Sequence, residues 1–320
     1  MFLLLVTLVL AGCETPEPDP LRLAVNAWPG YQYFALAKQK GFATSAGVDE
    51  LTIVETASLT DSVRAFERGQ VDMIGGTLAE LADINSHDTR EARAVVALNR
   101  SLGGDMVVAR TALDSLAAIE GARVALEPSS ANALVLAAAA RHAGMDINDM
   151  TLVARPQAEL ARAFERGTID AAVTYPPFAA ELLERPDVHR IFDTSESPDA
   201  VIDVLIVAAD VIDRAPDQLR AMLEAHDRAL QWAQAHPAEA RQILADHAGM
   251  TAEALGAIEP TIEMLPLAAQ APMWVSGGAL EASLNGAVTV LSAIHDDEME
   301  TDIPARRMLD TRILDMLSAR

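Results

Sequence analysis

All three tyrosines of this aromatic-poor chain fall in or beside predicted loops. These are Tyr31, Tyr33 and Tyr175, and Trp28 lies with them. Rigid, amphipathic rings suit the stacking of a small ligand. We therefore predict a binding role for Trp28, Tyr31 and Tyr175, and for Gly30 in the same loop as Trp28. The alternative, which stays open for each ring, is that it covers the core.

Hydroxyl and carboxyl groups stand near these rings in the predicted fold. Ser129 and Ser130 precede a predicted helix, where their hydroxyls and the free backbone N–H groups suit an anion or a carbonyl. An ordinary N-cap is the alternative. Thr77 follows the pair Gly75–Gly76, which lets the backbone approach closely. Asp105 begins a predicted strand that connects the two halves of the chain and should form the floor of a cleft between them. We predict that these side chains also contact the ligand.

Two aspartates invite an acid–base interpretation that their positions argue against. Asp72 and Asp170 each follow a helix-ending glycine and stand at the start of a strand-like run. That position is typical of hydrogen bonds that stabilise a turn. His226, His236 and His247 are spaced by 10 and 11 residues, which does not place them on one helix face as metal ligands. We predict no catalytic residue, no metal site and no cofactor.

An internal repeat organises the chain. The octamer AFERGQVD at 65–72 returns 98 residues later as AFERGTID at 163–170. Each glycine ends a helical segment, as a C′ glycine does. An apolar, strand-like run follows in both copies, Val71–Gly75 and Ile169–Tyr175. Upstream, both copies show a strand, a loop, a helix and a strand, so each half has the order β-loop-α-β-α-β.

Strands that alternate with helices of ~10–15 residues predict parallel sheets flanked by helices. Right-handed crossovers place the loops that follow the strands along one edge of each sheet. Two such edges can face each other across a cleft, where ligands of open α/β sheets bind. Five loops are predicted to line this cleft: Asn26–Tyr31, Glu55–Thr60, Gly75–Thr77, Leu126–Asn132 and Thr174–Phe178.

The predicted fold class is α/β, with two Rossmann-like sheets joined by two crossover strands. These strands are assigned to Asp105–Arg110 and Val201–Ala209, which are short and apolar. Residues 21–105 and 209–320 are therefore assigned to a first lobe, and residues 106–208 to a second. From Ala215 onward the pattern is helical, and we predict that this tail packs on the first lobe.

The first 20 residues predict export and membrane anchoring. The apolar run Phe2–Ala11 leads into Gly12 and Cys13, the only cysteine of the chain. A secretory signal needs ~7–15 apolar residues and small residues at the cleavage site. We predict a lipoprotein signal peptide at 1–13, a lipid attached to Cys13, and an extended, proline-containing tether at 14–20. The alternative is a buried N-terminal helix with an incidental cysteine.

Charge and composition exclude several classes of protein. A net charge of −23 argues against nucleic-acid binding, because phosphates need a basic surface. A hydrophobic share of 51% excludes disorder. The apolar runs fall short of the ~20 residues of a transmembrane helix. We therefore predict that the mature chain reaches the membrane only through its lipid, and that it is a monomer.

Several motifs occur together: the lipobox that ends in Cys13, the loop Trp28–Tyr31, both octamers, and Tyr175–Phe178. With them the chain resembles the type II periplasmic solute-binding proteins of the nitrate, sulfonate, taurine and thiamine-precursor group, over about residues 21–250. The resemblance implies a two-lobed type II periplasmic-binding-protein fold, a small-molecule ligand, an extracytoplasmic location and an ABC permease as partner. It names no single ligand, because one fold binds unrelated molecules.

Three functions are open from the sequence. The favoured one is a receptor that closes on a small molecule and delivers it to an ABC importer. The others are a biosynthetic enzyme of similar fold, from menaquinone or thiamine-precursor synthesis, and a ligand-sensing lipoprotein. The five cleft loops contain neither Lys nor Arg, whereas rings and Asp105 lie among or near them. A pyrimidine-like or amine ligand is therefore preferred over nitrate or a sulfonate, although all four stay open.

Overall fold

The computed structural model describes residues 20–46, 51–87, 89–127, 130–294 and 304–319. Two predicted site residues, Cys13 and Ser129, lie outside these ranges. The strands of the described part are β1 (Arg22–Val25), β2 (Thr52–Glu55), β3 (Met73–Thr77), β4 (Ala92–Ser101), β5 (Met106–Arg110), β6 (Arg123–Leu126), β7 (Thr151–Ala154), β8 (Ala171–Thr174), β9 (Val188–Asp193), β10 (Ile202–Ala208) and β11 (Ile262–Met264). Its α-helices are α1 (Tyr33–Gln39), α2 (Phe42–Ser45), α3 (Leu59–Glu67), α4 (Leu78–Ser86), α5 (Ala131–Ala143), α6 (Leu160–Glu165), α7 (Phe178–Leu183), α8 (Ala209–Arg214), α9 (Pro216–Ala235), α10 (Pro237–His247), α11 (Ala252–Ile258), α12 (Ala279–Ile294), α13 (Ala305–Met308) and α14 (Arg312–Ser318).

Six strands form the first sheet, in the order β11-β4-β10-β3-β1-β2. β1 pairs in parallel with β2 and β3, whereas β10 runs antiparallel between β3 and β4. Every residue of β3 and β10 is buried, which is typical of strands covered on both faces. Strands of this kind are continuously apolar, and six of the seven residues of β10 are apolar.

The second sheet repeats the arrangement of the first. Its order is β7-β6-β8-β5-β9, with β6 parallel to β7 and β8, and with β5 antiparallel between β8 and β9. The order β2-β1-β3-β10-β4 of the first sheet is matched strand for strand. The predicted α/β fold with two sheets is confirmed. The repeated octamers lie at equivalent places: each begins in the last turn of a helix, α3 or α6, and ends at the residue before a strand, β3 or β8.

The chain passes between the lobes twice within the described residues, after β4 into β5 and after β9 into β10. The two crossing segments bond to each other: Thr194 Oγ1 lies 2.7 Å from Ser101 Oγ, and the Thr194 N–H donates to the carbonyl of Asp105 at 3.0 Å. The prediction assigned residues up to 208 to the second lobe, but β10 belongs to the first sheet. Its antiparallel pairing with β3 and β4, which an apolar pattern does not reveal, places it there.

One ion pair is repeated at the start of both lobes. In the first lobe Asp72 accepts hydrogen bonds from the backbone N–H of Arg22 at 2.9 Å and from its Nε at 3.1 Å. In the second lobe Asp170 accepts the same two bonds from Arg123, at 3.0 and 2.9 Å. Each pair ties the first strand of a lobe to the turn before its third strand. The structural role predicted for both aspartates is confirmed.

The two ion pairs differ in burial, and this difference predicts unequal contributions to stability. The Asp72 side chain is 3% exposed and also pairs with Arg214 at 2.9 Å, whereas the Asp170 side chain is 29% exposed. We expect Asp72→Asn to lower the free energy of unfolding by about 2–3 kcal/mol, and Asp170→Asn by about 1 kcal/mol or less. Urea unfolding at pH 7 measures both losses. Equal losses would contradict the argument from burial.

The C-terminal helices pack mainly on the first lobe. α9 lies against α1 and α2, and α10 lies against α1 and α9. α12 differs, because it contacts α4 of the first lobe and α5 of the second. None of the helices in the described ranges has the length and apolar character needed to cross a membrane.

Candidate functional site

A small cavity lies between the two lobes, at the carboxyl ends of the parallel strands. It is lined from both lobes and from the crossing segments, and in this closed form it has about 10 Å³ of free space, room for about one water molecule. Ligand sites in proteins usually measure ~300–1,000 Å³, so the lobes must move apart before a small molecule can enter. Its lining residues are Asn26, Trp28, Tyr31, Leu59, Thr77, Asp105, Ala131, Tyr175, Val201 and Asp203.

Three aromatic rings close the cavity. Trp28 and Tyr31 come from the segment after β1, and Tyr175 follows β8 in the second lobe. The rings of Trp28 and Tyr175 meet edge to face, with their centroids 6.2 Å apart. Trp28 Nε1 donates to Asn99 Oδ1 at 3.0 Å, and the Tyr31 hydroxyl donates to Asp203. Since each ring is less than 5% exposed, the two lobes are closed around the cavity.

Three glycines allow the rings of Trp28 and Tyr31 to lie against the backbone. A Cβ atom on Gly75 would lie 2.9 Å from the Tyr31 ring, and one on Gly104 would lie 2.8 Å from the Trp28 ring. A Cβ on Gly30 would lie 2.7 Å from Trp28 Nε1. These distances are too short for any larger residue without movement of the ring. The glycines therefore set how deeply the two rings sit.

Replacement of Gly75 by alanine should move Tyr31 and disturb its hydrogen bond to Asp203. Overpacking of this kind costs about 1–3 kcal/mol, so we expect ligand affinity to fall about tenfold or more. Gly286→Ala is the matched control, because an added Cβ there meets nothing within 4 Å. Calorimetric titration of both variants measures the effect. An unchanged affinity in Gly75→Ala would show that the position of the Tyr31 ring does not determine ligand binding.

Asp203 faces the cavity beside Tyr31. It is 3% exposed, and its Oδ2 atom has no hydrogen-bond partner among the described residues. Burial raises the pKa of Asp203 well above its ordinary value, although the bond from Tyr31 acts in the opposite direction. The carboxyls of Asp105 and Glu80 add to the rise. Asp203 thus lacks the partner that a buried charge requires.

Two further carboxyls, Asp105 and Glu127, titrate near neutral pH. Asp105 lies in the first crossing segment, where its N–H donates to Ser101 Oγ at 2.9 Å. Burial raises the pKa of Asp105 to about 7. Burial also raises the pKa of Glu127, which follows β6, to about 7. The Tyr175 hydroxyl lies 3.5 Å from Glu127 Oε2 and donates to it. Ordinary aspartate and glutamate are fully ionised at that pH.

Glu80 connects the two lobes through a buried carboxyl group. In the first lobe it accepts hydrogen bonds from the N–H of Thr77, at 2.8 Å, and from the Thr77 hydroxyl, which completes a capping box for α4. Across the cleft it accepts one from the N–H of Ala131, the first residue of α5, at 3.2 Å. The N-terminus of α5, the predicted cradle for an anion, is therefore occupied by a side chain of the other lobe.

The structure brings together most of the predicted ligand-binding residues. Ser130 is buried nearby, but its hydroxyl donates to the carbonyl of Glu127 and accepts from the N–H of Asn132, as an N-cap does. Gly30 supports Trp28 and does not line the cavity. Ligand contacts by the predicted residues stay predictions. Those that line the cavity are Trp28, Tyr31, Thr77, Asp105 and Tyr175.

The sequence interpretation missed the carboxyls of Glu80, Glu127 and Asp203. A signal was present for two of them. Asp203 interrupts the apolar run Val201–Ala209, and a charge inside a buried strand often marks a functional site. Thr77 and Glu80 have the T-x-x-E spacing of a capping box. Glu127 follows β6, whose last three residues are buried, and it carries no comparable signal.

Two α/β lobes with the same strand order, joined within the described ranges by two crossing segments and closed on a small cavity, form the two-lobed fold of periplasmic binding proteins. The profile of the NMT1-like family matches residues 14–249 of this chain. The chain therefore belongs to the NMT1-like family. The predicted resemblance to the type II periplasmic group is confirmed.

Relatives and solved structures agree with this placement. A Brucella abortus protein and a Brucella suis protein, both described as binding proteins, are 25% identical to the chain over 290 residues, which cover 83% of this chain and 88% of theirs. The alkanesulfonate-binding protein SsuA from Xanthomonas axonopodis pv. citri, bound to MOPS, has a TM-score of 0.75 at 16% identity, over 92% of this chain and 99% of that one. The ligand-binding component of an ABC-type import system from Staphylococcus aureus, with zinc bound, has a TM-score of 0.73 at 12% identity, over 93% and 98%.

Proposed function

We propose that this chain is an extracytoplasmic receptor that closes on a small molecule and delivers it to an ABC importer. The observation that carries the proposal is the position of the cavity, which is buried between two lobes joined, within the described ranges, by two crossing segments. Trp28, Tyr31 and Tyr175 separate it from solvent, so a ligand enters only when the lobes move apart. The names of the Brucella relatives support a binding role.

The crossing segments have the properties of a hinge. Gly103, with φ of 112°, and Gly104 follow β4 in the first segment, where few side chains restrict the backbone. The Gly103 N–H donates to Thr194 Oγ1 of the second segment at 2.8 Å, so the two segments rotate together. A ligand that contacts both lobes stabilises the closed form by its greater affinity for that form.

Distances between spin labels on the two lobes test this closure. Ala57 and Ala158 are exposed in the loops after β2 and β7, one in each lobe. Since Cys13 is the only cysteine, a Cys13→Ala background leaves Ala57→Cys and Ala158→Cys as the sole labelling sites. We expect a small-molecule extract of the native host to shift the distance distribution towards shorter values.

A second pair of labels controls for changes unrelated to the hinge. Ala57 and the exposed Ala254 of α11 both belong to the first lobe. The distance between labels at these positions should stay the same with and without the extract. Interlobe distances that no sample changes would overturn the receptor proposal.

Attachment of a lipid at Cys13 is part of the proposal. A fatty-acid analogue fed to the native host should label the wild-type protein, and Cys13→Ala should abolish the labelling because the thiol accepts the lipid. Cys13→Ser is the matched variant, since it keeps the size of the side chain but not the thiol. Labelling that survives both changes would show that the anchor is elsewhere or absent.

Partner identity separates an import receptor from a sensor. Cross-linking of the wild-type chain in the native host should capture a permease and its ATPase if the chain serves import. Capture of a signalling protein in their place would support the sensing alternative. That the chain is a receptor and not an enzyme of the same fold stays a prediction.

A further inference from the structure

The cavity has an unbalanced charge. None of its ten lining residues is lysine, arginine or histidine, whereas Asp105 and Asp203 are both among them. Glu80 and Glu127 lie next to the lining, and all four carboxyl groups are buried. Buried carboxyls are normally paired with a cation or satisfied by several donors. Within the described residues, the cavity provides acceptors in excess and no cation.

Asp203 shows most directly what is missing. Its Oδ1 atom accepts the hydroxyl proton of Tyr31, but Oδ2 is buried and has no donor within the described residues. Burial favours the protonated form of this carboxyl, and a buried polar atom without a hydrogen-bond partner costs about 1–3 kcal/mol. Because Asp203 lines the cavity, a cation bound there would lower the pKa of Asp203 and supply the donor that the ionised Oδ2 needs.

The position best suited to an anion is already taken. An anion in such a cleft would use the N-terminus of α5, where backbone N–H groups point outwards. Glu80 accepts the N–H of Ala131 at 3.2 Å, and Ser130 accepts the N–H of Asn132 at 3.3 Å. An added anion would therefore meet the Glu80 carboxyl group where it needs donors.

We infer that the cleft binds a small organic cation that carries N–H donors, such as a protonated amine or an amidinium-type ion. The inference rests on the proposed function, since it assigns the ligand class of the same cleft. The rings of Trp28, Tyr31 and Tyr175 add cation–π contacts of about 0.5–2 kcal/mol each. The excess of acceptors selects cations that carry N–H groups over quaternary ammonium ions. A quaternary ammonium ion can contact the aromatic rings of the cleft, but it has no N–H group to donate to Asp203.

Binding of a cation is linked to release of protons. Burial raises the pKa of Asp105 to about 7, and a cation beside it would lower that pKa again. The free protein then holds a proton that the complex loses, so affinity rises with pH. For a single such group the Kd should tighten about tenfold from pH 6 to pH 8. An anion would act with the opposite sign. The titratable groups that interact with Asp105 are Tyr31, Glu80, Tyr175 and Asp203.

Calorimetric titration of the full mature chain tests the inference with matched probes. Propylammonium and putrescine represent N–H cations, tetramethylammonium a cation without donors, and propanesulfonate and nitrate the anions. We expect binding of at least one N–H cation and tighter binding at pH 8 than at pH 6. Repetition in two buffers of different ionisation enthalpy should show proton release.

Charge-removing variants identify the group responsible. Asp203→Asn keeps the shape of the side chain, and we expect it to weaken binding of the N–H cation tenfold or more. Asp105→Asn is the second variant, and it should abolish most of the pH dependence. The exposed Asp114 supplies the control Asp114→Asn, which should leave binding unchanged. Thermal unfolding of each variant establishes that it is folded.

The outcomes separate this inference from the proposed function. Binding of the anions, or binding of tetramethylammonium as tight as that of the amines, overturns the inference. So does an affinity that Asp203→Asn does not change. If the host extract closes the labelled lobes but no N–H cation does, the inference fails and the receptor stands. If no sample closes the lobes, both fail.

Discussion

Asp105→Asn is expected to raise the free energy of unfolding of the ligand-free protein at pH 8. Burial raises the pKa of Asp105 from its ordinary value of 3.8 to about 7. Between these values the folded protein holds a proton that the unfolded chain has lost, so stability falls as pH rises through this window. The difference corresponds to roughly 4 kcal/mol at pH 8. Asparagine does not titrate, and it therefore escapes this loss.

Urea unfolding at pH 5 and pH 8 measures the effect. The wild-type protein should lose stability between the two pH values, and Asp105→Asn should lose less. Asp114→Asn provides the control, because Asp114 is exposed. If Asp105→Asn is no more stable than the wild type at pH 8, the buried carboxyl group of Asp105 does not lower the free energy of unfolding.

Glu80→Ala is expected to have a large effect in the opposite direction. The Glu80 side chain accepts hydrogen bonds from the N–H groups of Thr77 and Ala131, which belong to different lobes. Its removal leaves both buried donors without a partner, at about 1–3 kcal/mol each. We expect a loss of about 3 kcal/mol in the free energy of unfolding. The closed form should lose population, because the bond to Ala131 exists only when the lobes meet.

Glu80→Gln is the matched variant for this prediction. Its amide oxygen still accepts a hydrogen bond, so it should recover at least half of the lost stability. Thermal unfolding and the interlobe label distances measure the two effects separately. If Glu80→Ala lowers stability but leaves the distances unchanged, Glu80 caps α4 and does not hold the lobes together.

The two predictions have one physical origin. The cavity brings together carboxyl groups whose burial destabilises the ligand-free protein. At Glu80 the hydrogen bonds from Thr77 and Ala131 offset part of this cost, although burial still raises the pKa of Glu80 above its ordinary value. Functional sites often sacrifice stability in this way. A ligand that supplies the missing donors restores the stability that the buried carboxyl groups remove. The residues that lower the stability of the ligand-free protein are therefore the ones that should determine ligand affinity.

Much of the fold was predictable from the sequence because its signals are local. The repeated octamer ends in an aspartate that binds the arginine of the first strand in each lobe, Arg22 or Arg123. A helix stop, a turn and an apolar run need only a few neighbouring residues. The loops that line the cleft were placed correctly because the carboxyl ends of parallel strands lie along one edge of a sheet. Locating those strands needed only local signals.

The site was predictable only in part. The rings of Trp28, Tyr31 and Tyr175 could be selected because aromatic residues are rare in this chain and occur in loops. The carboxyl of Glu127 was missed because its importance comes from burial and from neighbours distant in sequence, whereas those of Asp203 and Glu80 were missed although each had a signal in the sequence. For Ser130 the sequence left a ligand contact and an N-cap open, and in the structure its hydroxyl bonds to Glu127 and Asn132 as an N-cap does.

The sequence by itself determined two α/β lobes, the β-loop-α-β-α-β order that opens each of them and a cleft lined by loops without lysine or arginine, but it did not reveal β4, β9 and β11. Tertiary structure alone decided that β10 returns to the first sheet, because strand pairing between residues 100 or more positions apart leaves no local pattern. It also decided the electrostatics of the cleft. A carboxyl becomes costly only when water is excluded from it, and here the meeting of two lobes excludes the water.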